Sequence, residues 1–118
     1  MTSYTIQSFV NDVKPLLDVA ARSKFTDAQL AHYAVDGLYR LYSVRPSSRY
    51  NEDGTLDDVV FPTADNALLA FSVKIDERWR LGVVYFAAAR AHECGVTDTV
   101  NLQLAQSLKQ QADAVFAS

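Results

Sequence analysis

The stretch Trp79-Arg80-Leu81-Gly82-Val83-Val84-Tyr85-Phe86-Ala87-Ala88-Ala89-Arg90-Ala91 decides the fold. Trp79, Val83, Phe86 and Ala87 recur at helical spacing and form one apolar stripe. Leu81, Val84, Tyr85, Ala88 and Ala91 widen that stripe until the helix is apolar almost all round. A helix with no polar face has to be covered by its neighbours, so this one is predicted to run through the core. Gly82 and the alanines let those neighbours come close. Asp76 and Glu77 suit the positive start of such a helix, and Gly95 supplies a stop, so the element is expected over Asp76–Cys94.

Three more helical segments surround it in sequence. Ile6, Phe9, Val10, Val13, Leu17 and Ala20 mark the first, over about Thr5–Arg22, with Thr2 or Ser3 as its cap. Pro15 lacks an N–H and clashes with the preceding turn, so this segment is either kinked or splits near Pro15. The second segment, Asp27–Val44, opens with a capping box, Thr26 and Gln29. Leu30, Ala34, Gly37, Leu38 and Leu41 form its stripe, flanked by Tyr33, Tyr39 and Tyr42, and it should stop at Arg45, ahead of Pro46. The last helix, about Asp98–Phe116 with Thr97 as cap, carries the series Val100, Leu104, Leu108, Ala112, Val115, with Ala105 and Phe116 beside it. Asn101, Gln103, Gln106, Lys109, Gln110 and Asp113 make its polar face.

Between these helices, residues 46–64 are irregular and rich in turn formers. A hairpin about Asp53-Gly54 would pair Arg49-Tyr50 with Val59-Val60-Phe61. A short helix or turn is expected within Thr63–Phe71, followed by an extended Ser72–Ile75. The fold class is therefore mainly α: one domain over 1–118, a small bundle of about four helices with a long central loop or hairpin at 46–64.

Bulk composition agrees with a single globular domain. The chain has 118 residues, of which 49% are hydrophobic, enough for a core without disulfide or metal. The one cysteine, Cys94, has no partner within the chain, which fits a reducing compartment. A net charge of −3 argues against a dedicated nucleic-acid binder, whose affinity rests on neutralising phosphates. The N-terminus lacks the basic-then-apolar pattern of a signal peptide, and no apolar run approaches the ~20 residues of a membrane span.

No cluster of residues carries evident chemistry. His92-Glu93-Cys94 are consecutive, so on a helix they point about 100° apart and cannot share a metal. They read as ordinary surface or helix-end residues. A Cys94–His32 nucleophile pair lacks any orienting third group. The acidic run Asn51-Glu52-Asp53-Gly54-Thr55-Leu56-Asp57-Asp58 has a calcium-loop flavour, but counting from Asn51 puts Pro62 where the bidentate glutamate belongs. Arg40, Arg45 and Arg49 gather at the end of the second helix, and Arg78, Arg80 and Arg90 line the third. They read mainly as a solvated face, with Arg78 and Arg80 of interest for flanking Trp79. No catalytic residue, cofactor site or metal site is assigned, and the chain does not read as an enzyme.

Three stretches carry a family resemblance: Phe25-Thr26-Asp27 leading to Leu38-Tyr39-Arg40-Leu41-Tyr42-Ser43-Val44-Arg45-Pro46; the helix from Trp79 to Ala91; and the closing helix with Asn101, Ala105 and Phe116. In pattern and order the chain resembles the head–tail connector (adaptor or head completion) proteins of tailed bacteriophages. The acidic insertion at 46–64 has no clear counterpart there. The resemblance implies a helical bundle made in the host cytoplasm and built into the virion neck. There it would self-associate into a ring, typically of twelve copies, beneath the portal protein and above tail completion or tail proteins. DNA would be only passing cargo, and no membrane is involved. The C-terminal helix and the 46–64 loop are the implied contact regions. Within and beside them, Arg45, Arg49, Tyr50, Asp53, Asp57, Gln106, Gln110 and Phe116 are the candidate partner contacts. A non-viral helical regulatory or scaffold module that binds proteins is the alternative.

Overall fold

A computed structural model describes residues 2–17, 24–50, 53–56, 59–94 and 99–117, with the backbone alone for residues 94 and 99–101. Five α-helices are present among them: α1 (Ile6–Val13), α2 (Asp27–Val44), α3 (Asp65–Ala70), α4 (Glu77–Cys94) and α5 (Thr99–Ala117). Two short strands, β1 (Thr2–Thr5) and β2 (Ser72–Ile75), pair antiparallel, with Thr2 opposite Ile75 and Thr5 opposite Ser72.

The central helix lies where its composition demands. Along α4, Trp79, Val83, Val84, Ala87, Ala88, Ala89 and Ala91 are all buried. It packs against α5 most extensively, then against α2 and α1. Close approach is built in at two glycines. A Cβ on Gly82 would lie 2.5 Å from Cε1 of Phe116, and one on Gly37 would lie 3.0 Å from the Val83 carbonyl oxygen. The first helix pair therefore meets ring against backbone, and the second nearly backbone against backbone. Leu81, expected in the apolar belt, is instead about half exposed. Asp76 caps α4 rather than joining it, its carboxylate accepting from the Arg78 N–H at 3.1 Å.

The capping box of α2 forms as the sequence predicts. Thr26 Oγ1 accepts from the Gln29 N–H at 3.2 Å, and Gln29 Oε1 accepts from the Thr26 N–H at 2.8 Å. The helix ends at Val44, with Arg45 as its C-cap. At the N-terminus the expectation needs correction. Thr5, not Thr2 or Ser3, caps α1 by accepting from the Ser8 N–H, because Thr2–Thr5 is drawn into the sheet. Pro15 ends α1 at Val13 and sits in a 3₁₀ turn over Lys14–Leu16, the splitting alternative of the two. Residues 18–23, the rest of that expected segment, lie outside the described residues, as do the expected stop Gly95 and cap Thr97.

On α5 the buried series is Ala105, Leu108, Ala112 and Phe116, whereas Leu102 and Leu104 are exposed. The inward face is thus rotated by about one position from the expected Leu104-centred stripe. Phe116 decides the rotation, since it fills the space beside Gly82.

The central segment is shorter in regular structure than a full hairpin. Pro46–Arg49 forms a 3₁₀ turn, and a single antiparallel bridge joins Tyr50 to Leu56. Gly54 takes a positive φ of 86° at the turn. Val59-Val60-Phe61 does not pair with Arg49-Tyr50. Phe61 instead stacks edge-on between Tyr39 and Phe71, at 5.5 and 5.6 Å between ring centroids. Burying an aromatic ring outweighs extending a two-stranded ribbon, which is marginal by itself. Ser72–Ile75 is extended, and α3 occupies the expected short helix after Pro62.

Candidate functional site

The C-terminal end of α2 and the Pro46–Arg49 turn after it, the first turn of α4 and the last turn of α5 carry a group of arginine contacts. Arg45 anchors it. Its Nε donates to the Phe116 carbonyl and its Nη2 to the Ala117 carbonyl, both at 2.6 Å. These carbonyls are the unpaired acceptors of a helix C-terminus, where the macrodipole also favours a cation. The same guanidinium lies 6.0 Å from the centroid of the Trp79 ring, and Arg78 lies 4.8 Å from it. Two cations thus flank one buried indole.

The Arg45 carbonyl in turn accepts from the Ser48 N–H at 2.9 Å, which places the Pro46–Arg49 turn beside this group. Arg49 folds back so that its guanidinium is 5.7 Å from the Tyr42 centroid. Among the described residues, the buried side-chain nitrogen and oxygen atoms with no hydrogen-bond partner are Ser48 Oγ, Arg49 Nε and Trp79 Nε1. All three can donate.

Arg40, Arg80 and Arg90 are occupied elsewhere. Arg40 pairs with Asp113 in a two-pronged contact of 3.1 Å per bond, and that carboxylate raises the arginine's pKa. Arg80 pairs with Asp12 and covers the rings of Tyr4 and Phe9, so it turns away from Trp79. Arg90 contacts Asp36 and Glu93, and Arg78 pairs with Asp76. Arg49 alone among the described arginines has neither a carboxylate nor a carbonyl partner.

The expected contact residues divide four ways. Arg45 and Arg49 belong to this group of arginine contacts. Tyr50, Asp53, Gln106 and Gln110 are exposed, the last two along the outer face of α5. Asp53 accepts from both the N–H and the hydroxyl of Thr55, at 2.9 and 2.6 Å, which lowers its pKa. Phe116 must be corrected: it is fully buried, so in the single chain its ring meets Gly82 and not a partner. Asp57 lies outside the described residues. Sequence reading missed Ser48 altogether, since nothing local marks that serine as buried. Trp79 was visible only as a core residue flanked by charge.

Of the His92-Glu93-Cys94 triplet, His92 and Glu93 make contacts in different directions. The His92 ring is buried, not superficial, with Nε2 3.3 Å from the Leu16 carbonyl. Glu93 turns to Arg90 and Lys109, and the Cys94 side chain is outside the described residues. Among the described residues no three His, Cys, Asp or Glu side chains converge as a metal site, and no helix is long and apolar enough to cross a membrane.

No protein-family model, curated protein or solved structure matches this chain.

Proposed function

We propose that this chain is a structural protein of the bacteriophage neck, assembling as a ring beneath the portal that extends the DNA channel and joins head to tail. The observation that carries the reading is the distribution of exposed apolar side chains on so small a bundle. Tyr39, Tyr50, Leu56, Val60, Leu81, Leu102 and Leu104 all stand at least 41% exposed. Scattered single residues of this kind are ordinary, but here they sit on several faces: the outside of α2, the 50–60 segment and both helices of the α4–α5 pair. A subunit with a neighbour on each side and partners above and below needs contact surfaces on several faces at once. The order of helices that resembles the adaptor proteins supports the same reading, and the net charge of −3 suits a lumen through which DNA passes without being held.

The test is co-assembly. The purified chain is mixed with purified portal, and the mass of any complex is measured. A defined ring of copies on the portal is the expected result. Failure to bind portal, together with absence of the chain from purified virions, would overturn the proposal and favour a helical regulatory module.

A further inference from the structure

We infer that the two-stranded sheet joins copies of this chain, the open edge of β2 in one copy pairing with the open edge of β1 in the next, head to tail. The partner is a second copy of this chain. The inference rests on the neck reading only for the closure of a ring. The joint itself is tested on the chain without portal, so its failure and a failure of portal binding are separately observable.

The hydrogen-bond pattern fixes which groups point outward. The strands pair Thr2 with Ile75, Ser3 with Lys74, Tyr4 with Val73 and Thr5 with Ser72, and one step further the Ile6 N–H donates to the Phe71 carbonyl at 2.9 Å. In an antiparallel ladder, hydrogen-bonded and non-hydrogen-bonded pairs alternate. Ile6 and Phe71 are a bonded pair, so Tyr4 with Val73 and Thr2 with Ile75 also bond inward. Ser3 and Thr5 then turn their backbone N–H and carbonyl groups away from β2, and Ser72 and Lys74 turn theirs away from β1. Among the described residues no backbone hydrogen bond reaches either outer edge. The Ser8 hydroxyl donates to the Thr5 carbonyl at 2.6 Å, and a carbonyl oxygen has a second lone pair to offer. The side chains of Ser3, Thr5, Ser72 and Lys74 are all exposed, whereas Val73 and Ile75 face the core.

The two edges complement each other. Each presents two residues with outward backbone groups, two positions apart, and the strands run in opposite directions. The β2 edge of one copy can therefore bond the β1 edge of the next with Lys74 opposite Ser3 and Ser72 opposite Thr5. That is the register already used within the chain, and it keeps the sheet antiparallel through the joint. Each lysine then faces a hydroxyl and not another charge. Every copy uses both of its edges, whereas twofold pairing of β1 with β1 leaves both β2 edges open, and one foreign strand fills one edge of the two. A head-to-tail contact repeats from copy to copy and closes into a ring where the rotation allows. Over Thr2–Thr5 the β1 edge carries neither charge nor proline, the usual guards against such pairing. Two strands alone are also marginal, and a sheet continued through its neighbours is not.

Covalent trapping reads the joint even where a few backbone hydrogen bonds hold it only weakly. In the full chain carrying Cys94→Ser, Ser3→Cys and Lys74→Cys are made separately, mixed at high concentration and oxidised. Bonded antiparallel partners have Cα atoms about 5.5 Å apart, within disulfide reach. The expected product is the mixed disulfide between the two variants, several-fold above the disulfide that either forms alone. Ser3→Cys mixed with Gln110→Cys, an exposed position on α5, should give only the background. Ser72→Pro, added to the Lys74→Cys chain, removes an outward N–H that is unbonded in the single chain. Phe71 before it already has the extended φ −68° and ψ 137° that a following proline requires. The circular dichroism and melting of that chain should match the parent while the mixed disulfide falls several-fold. If that chain does not fold, the Gln110→Cys comparison decides. Trapping no greater than this background would overturn the inference, as would undiminished trapping in a folded Ser72→Pro chain. Stronger trapping of Ser3→Cys with itself would overturn it in favour of twofold pairing through β1.

Discussion

At the scale of single residues, Gly82 and Trp79 make the sharpest demands. The space a Cβ would need at Gly82 is taken by the Phe116 ring. Gly82→Ala gains about 1 kcal/mol of helix propensity but overpacks the α4–α5 contact at a cost of about 1–3 kcal/mol. A net loss of up to about 2 kcal/mol in urea denaturation is expected. It should shrink when Phe116→Leu is present as well, because the two positions share one space. Trp79→Ala removes a side chain only 7% exposed and should cost about 3–5 kcal/mol. A negligible change in melting would show that the indole does not belong to the core. How much of the group of arginine contacts could be read in the sequence follows from the same residues. Arg45 and Arg49 stand out because they are neighbours in sequence at the end of a helix. Trp79 meets Arg45 only through the packing of α2 against α4, which no local pattern announces.

At the scale of elements, local signals were read well and distant ones were not. The Thr26–Gln29 box is complete within four residues, and it formed. Thr26→Ala, which removes the acceptor for the Gln29 N–H, should cost about 1 kcal/mol in thermal or urea unfolding. By contrast β1 depends on residues some seventy positions away, so Thr2-Ser3-Tyr4-Thr5 gave no sign of a strand. On α5 the exposed Leu102 and Leu104 compete with the truly buried series, and the periodicity alone pointed one position off. The start of α2 is also tied to the Lys14–Leu16 turn through Lys14 and Asp27, at 2.8 Å. The hydrogen bond from Lys14 holds the Asp27 carboxyl below its ordinary pKa. A depressed carboxylate contributes stability that is fully present above its unfolded pKa and is lost as pH falls through the folded value. Stability of the parent should therefore fall more steeply below about pH 4 than that of Asp27→Asn. Both side chains are about two-fifths exposed, so the difference at neutral pH should stay under about 1 kcal/mol.

At the scale of the whole molecule, the proposed neck role would put assembly on surfaces other than those that hold the core, and that separation can be tested. The core is closed by α1, α2, α4 and α5 together with Val73, Ile75 and Leu68, and it draws Val59 and Phe61 against it from the central segment. Asp53, Gly54, Thr55 and Leu56 are exposed, and a bridge between Tyr50 and Leu56 ties this tip to its own base. Replacing residues 51–58 by a Gly-Ser linker of equal length therefore leaves Phe61 free to hold its place between Tyr39 and Phe71. Loop closure changes little at constant length, and surface substitutions away from packed features usually fall within about 0.5 kcal/mol. The melting temperature should stay within a few degrees of the parent. Assembly should respond differently. The exchange removes the exposed Leu56 and the acidic side chains of the run, and the neck reading makes this segment a contact region. Binding to purified portal, or the mass of the ring formed on it, should then decline while the fold is kept. Loss of the fold would place the 51–58 segment in the core. An unchanged ring would move the contacts to the outer face of α5, where Leu102, Leu104, Gln106 and Gln110 are the remaining exposed candidates.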